Sequence, residues 1–137
     1  MIYAINAIPD DWKKVILGSL KEGTGRFGCR YDTRQDLLTD DYIEDKNKCK
    51  FLESIKESDY VIYINVPQHG MCTMAKVKSG YYWREPMDED FNHCFKVYPE
   101  SVSIFDIDSE TIPLYLRKKL KLKNGHWKIK MTPGLLP

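Results

Sequence analysis

An arginine set between glycines is the first place where chemistry suggests itself. In Gly25-Arg26-Phe27-Gly28 a guanidinium stands beside an aromatic ring, and its planar, permanently charged fork suits phosphate oxygens or the acceptor edge of guanine. Tyr82-Trp83-Arg84 repeats the pairing of rings with a cation, and Asn6 and His93 carry groups able to address the edge of a heterocycle. Holding an extruded or single base takes a flat ring to stack on, polar groups for its edge and cations for the neighbouring phosphates. Phe27, Tyr82 and Trp83 are the candidate rings, Asn6 and His93 the edge groups, and Arg26, Arg30 and Arg84 the cations. Taken singly, each ring is more often core than cage in a chain that is 12% aromatic. A surface salt bridge would use Arg26 as readily as a ligand would.

Other chemistries find less. The glycine loop lacks the Gly-Lys-Ser/Thr ending of a P-loop, and no Gly-x-Ser-x-Gly occurs. His69-x-x-Cys72 and His93-Cys94 contain metal-ligating types, but neighbouring strand residues point to opposite faces, so no metal site is expected. The acidic run Glu85 to Asp90 lacks the alternation and glycine of an EF-hand. No cofactor and no catalytic residue is assigned.

Net charge is +1, yet it is unevenly spread: Asp36 to Asp59 holds eight acidic residues against four lysines, and Arg117 to Lys130 holds seven basic residues and no acid. Such a basic stretch, with Trp127 interleaved, can track a phosphate backbone through Lys118, Lys119 and Lys128. Alternation of Leu120, Leu122, Trp127 and Ile129 with lysines is also what a half-exposed strand looks like.

The elements that must position these residues follow from periodicity. Ile2 to Ile8 reads as a buried strand stopped by Pro9; Trp12, Val15, Ile16, Ser19 and Leu20 form the inward stripe of a helix capped by Asp10 or Asp11 and ended by Gly23. Residues 23–28 read as a glycine-rich loop, and Thr33 to Lys56 as one or two short helices. Asp59 to Val66 and Met71 to Val77, joined through Pro67 to Gly70, make a hairpin, and Ser79-Gly80 punctuates the chain after it. Further strands are expected at His93 to Tyr98 and Val102 to Ile107, a helix at Thr111 to Leu120, and a second hairpin about Asn124-Gly125. Residues 1–131 are expected to form one domain and 132–137 a tail.

At 137 residues, with no apolar run approaching a membrane span and no secretory n-region, the chain is expected to be a soluble cytoplasmic domain with no membrane partner. Its four scattered cysteines are expected to be reduced thiols.

Several stretches together resemble the PUA-like superfamily, in its EVE and modified-base-reading branch. They are the first strand running into a helix, Gly25-Arg26-Phe27-Gly28, Phe51-Leu52-Glu53-Ser54-Ile55-Lys56, Asp59-Tyr60-Val61-Ile62-Tyr63-Ile64, and Thr73-Met74-Ala75-Lys76-Val77 leading into Gly80-Tyr81-Tyr82-Trp83. Ser58 stands where glycine is usual before Asp59. The resemblance covers about residues 1 to 98 and implies an α+β fold, a small mixed or antiparallel β barrel with flanking helices and a pocket that takes a nucleobase. Its relatives read modified DNA bases, bind RNA or, in the ASCH branch, hydrolyse modified nucleosides. Thr24 and Lys76 suit an ASCH-type site, but no glutamate stands in a matching place. The expectation is therefore a nucleic-acid-binding module without catalysis of its own, working with an effector protein. Its rivals are an ASCH-type hydrolase and an assembly domain that has lost the pocket.

Overall fold

The computed structural model describes residues 1–6, 8–28, 35–40, 46–85, 91–123 and 125–130. Seven strands and three α-helical segments follow in chain order: β1 (Ile2–Ile5), α1 (Asp10–Lys21), β2 (Thr24–Phe27), α2 (Lys46–Cys49), β3 (Tyr60–Ile64), β4 (Met71–Trp83), β5 (His93–Val97), β6 (Ser103–Asp106), α3 (Leu114–Leu120) and β7 (His126–Ile129). Short 3-10 segments occupy Lys50–Ser54 and Pro99–Ser101.

The strands form one mixed sheet in the order β2-β5-β4-β3-β1-β7, with β6 also on β4. β1 and β3 are parallel and every other pairing is antiparallel. This is a mixed α+β fold with an open sheet; the closed barrel implied by the resemblance is not formed among the described residues.

Alternation along the strands builds two cores, one on each face. Tyr3, Ile5, Val61, Tyr63, Ala75 and Val77 point to one side, where Ile16 and Leu20 of α1 join them. Ile2, Ala4, Ile62, Ile64, Cys72, Met74 and Ile129 point to the other, which Ile112, Leu116 and Leu120 cover. β1 is apolar without interruption because both its faces are buried.

Several expectations change. Residues 24–27 are strand β2, not a loop. The residue the strand cannot exchange is Gly25, because a Cβ there would lie 2.2 Å from Cε2 of Phe95. Ser79-Gly80 does not interrupt the chain, since β4 runs through it with register irregularities between Val77 and Tyr82. The second hairpin is absent: Leu116 and Leu120 lie on the buried face of a helix, and β7 pairs with β1. Cys49 is disulfide-bonded, with its partner outside the described residues, whereas Cys72 and Cys94 are free. Of the one or two short helices expected within 33–56, the described part holds α2 and the 3-10 turn that follows it, whereas α1 begins after Pro9, with Asp10 and Asp11 inside its first turn. The 132–137 tail lies outside the described residues. Among these no helix is long and apolar enough to cross a membrane.

Candidate functional site

Pairing across three strands sorts the candidate residues into two rows. Phe27 of β2 stands opposite His93 of β5, which stands opposite Trp83 of β4. The adjacent row is Arg26, Cys94 and Tyr82. Successive strand residues face opposite ways, so the rows lie on opposite sides of the sheet. Arg26, Phe27, Tyr82 and Trp83 therefore do not close around one hollow. They share one end of the sheet.

In the first row, Phe27 is buried in the core against the edge of Phe51. His93 has no exposed surface and Trp83 is 8% exposed, with their rings edge to face at 5.1 Å between centroids. Tyr81, two residues before Trp83, places its hydroxyl 2.8 Å from Nδ1 of His93. The same hydroxyl oxygen accepts the backbone N–H of Leu37 at 3.1 Å; where its own proton goes to Nδ1, the neutral imidazole carries its proton on Nε2. Burial pushes the His93 pKa down to about 4, with the charge of Asp36 pulling weakly the other way, so the ring is neutral at pH 7. Among the described residues Nε2 of His93 and Nε1 of Trp83 are buried without a hydrogen-bond partner, as is Nε1 of Trp127 on β7.

Polar groups concentrate around this end. Arg26, Gln35, Asp36, Asn92 and His93 are all buried, and buried polar side chains are the informative exceptions in a protein interior. Arg26 Nε donates to the Phe91 carbonyl at 2.8 Å, and its guanidinium lies 5.4 Å from the Trp12 ring centroid. Arg84 is fastened to Asn92 through both backbone and side chain.

The second row faces a groove against α1. Arg26, Tyr82 and Arg84 line a hollow of about 410 Å³ with Ser19, Glu22 and Thr24; Lys76 is not part of it. Burial raises the Tyr82 pKa, keeping its hydroxyl protonated.

The remaining candidates stand apart. Asn6 lines a hollow of about 650 Å³ with Asn65, Gln68, Asp106 and Lys121, among others, and donates its backbone N–H to Gly125. Lys118 and Lys119 lie on α3, over one face of the sheet, with Lys119 against the Tyr115 ring. Lys128 lies on the other face, over Tyr3. The basic run is thus divided by the sheet and forms no single stripe. Arg30 lies outside the described residues. Two aromatic residues that sequence reasoning did not single out, Phe51 and His126, stack on each other at 4.0 Å. No local pattern could have joined them, because β7 meets this side only through its pairing with β1. Among the described residues no cluster of His, Cys, Asp and Glu has the makings of a metal site.

Comparison of the chain with protein-family models, with characterised proteins and with solved structures gives no match.

Proposed function

We propose that this chain is a nucleic-acid-binding module that accepts a nucleobase, modified bases included, at the Tyr81–His93–Trp83 end of the sheet. On this reading it has no catalytic activity of its own and hands recognition to an effector protein. The observation carrying the reading is a pair of buried ring nitrogens, Nε1 of Trp83 and Nε2 of His93, that have no hydrogen-bond partner among the described residues. Leaving a buried donor unpaired costs about 1–3 kcal/mol, and two such groups side by side call for an occupant that offers acceptors. A heterocycle offers ring nitrogens and carbonyl oxygens as such acceptors. The groove holding Arg26 and Arg84 lies on the reverse side of the same strands and would receive phosphate, not the base itself. The resemblance to PUA-like domains, whose barrels take a base, supports the same ligand class, and membership of that superfamily is part of the proposal.

Calorimetric titration with free nucleosides, plain and base-modified, tests it. Trp83→Phe keeps the ring position and removes the N–H, and should weaken binding about 5- to 150-fold, the equivalent of one lost buried hydrogen bond. Saturable binding that Trp83→Phe leaves untouched, or no nucleoside binding at all by the folded protein, refutes the assignment.

A further inference from the structure

Away from that cluster, the 3-10 segment Lys50–Ser54 and the start of β7 bring two rings together at the surface. Phe51 and His126 stack with planes 17° apart. Phe27 packs edge to face with Phe51 from the core, with centroids 5.2 Å apart. Burial lowers the His126 pKa, a backbone hydrogen bond with Lys48 opposing and the Lys48 charge assisting, so the imidazole is a neutral ring at pH 7. The stack adjoins an open hollow of about 550 Å³ lined by Lys50, Phe51, Glu53, Ser54, His126 and Lys128. Of the residues lining the hollow, Lys50 and Lys128 are exposed against one exposed acid, Glu53, and Lys48 is exposed beside it. An aromatic surface beside a surplus of cations matches a ligand that alternates flat apolar faces with negative charge.

We propose that this hollow binds single-stranded nucleic acid, with one base stacking against the Phe51–His126 pair and flanking phosphates meeting Lys48, Lys50 and Lys128. A duplex keeps its base faces covered, so the platform selects for a single strand. The inference rests on the nucleic-acid reading above, but it shares no residue with the Trp83–His93 pair.

Fluorescence anisotropy with a labelled single strand of about 12 nucleotides, within the usual site size of one small domain, tests it in DNA and RNA forms beside the matching duplex and an acidic peptide competitor. Phe51→Leu keeps apolar bulk and loses the stacking face; it should weaken single-strand binding about 5- to 150-fold. Because Phe51 also packs on the core, a second variant is needed. Lys50→Glu with Lys128→Glu alters exposed side chains only and should lower the slope of log K against log salt by about 1 to 2. Wild-type affinity and slope in the lysine variant, equal binding of duplex, or displacement by the peptide at matched charge would each overturn the platform. Absence of strand binding by the wild type overturns it too, while nucleoside titration still decides the base site separately.

Discussion

The Tyr63 hydroxyl engages both backbone groups of Arg26, accepting its N–H at 3.0 Å and donating to its carbonyl at 2.7 Å. Two strands, β5 and β4, separate β3 from β2 in the sheet, so the contact reports how far the sheet curls. The free edge of β2 is sealed there by a side chain and not by another strand. Tyr63 is fully buried, and burial raises its pKa, which keeps the hydroxyl available as a donor.

Tyr63→Phe preserves the ring and strips both bonds at once. Two buried backbone groups lose their partner, and the variant should lose about 2–4 kcal/mol. In urea denaturation this appears as a lower midpoint with an unchanged slope. An unshifted midpoint would mean that the Arg26 backbone does not depend on this hydroxyl.

Gly25→Ala should be among the most damaging small changes in the domain. Its Cβ would meet three ring atoms of Phe95 at 2.2 to 2.8 Å, and Phe95 is fully buried with nowhere to retreat. Overpacking of this kind costs about 1–3 kcal/mol, sometimes more. Pairing it with Phe95→Leu should restore part of the loss, which a thermal melt of the single and double variants reads directly; no rescue would place the damage in the backbone instead.

Stability should fall as pH is lowered from about 6.5 towards about 4, where His93 titrates in the folded state. In that window the unfolded chain, with an ordinary imidazole, binds more protons than the native one. The full contribution is present above the unfolded pKa and amounts to about 3 kcal/mol for His93. His126, also lowered by burial, acts with the same sign. Replacing His93 by Gln should flatten the dependence of the urea midpoint on pH. A wild-type midpoint constant across the histidine range would show that the buried ring is not held neutral.

Thiol chemistry separates the cysteines. Cys72 and Cys94 are fully buried, and burial pushes both thiols up to about 11, so a disulfide-exchange reagent should react slowly with the native protein. In denaturant without reductant, two of the four cysteines should react, and all four once reductant has opened the disulfide at Cys49. Four reactive thiols before reduction would return the protein to the fully reduced state expected from its sequence.

Legibility in the sequence followed the range of the interactions. β1, α1 and the β3–β4 hairpin are readable because apolar runs and a helical stripe are local; Ile16 and Leu20 of the stripe are buried, whereas Val15 is 42% exposed and Leu17 packs on the core in its place. Glycine content hid β2: Gly25 looked like a flexible loop residue but is the space that the Phe95 ring fills. A loop at 24–27 would let Arg26 and Phe27 share a pocket, whereas strand alternation sets them on opposite faces. The same rule divides Tyr82 from Trp83. His93 was recognised as a group for a base edge, but its tautomer depends on Tyr81 and on the backbone of Leu37, 44 residues away from that hydroxyl in sequence. Only folded contacts fix it.

Thirteen consecutive residues, Met71–Trp83, carry β3 on one edge and β6 followed by β5 on the other. That strand works as a spine common to both cores, so the two halves of the molecule have no seam along which to part. Fraying at the Trp83 end would propagate along it towards Met71, and an occupant that tightens that end would stiffen the opposite one without touching it.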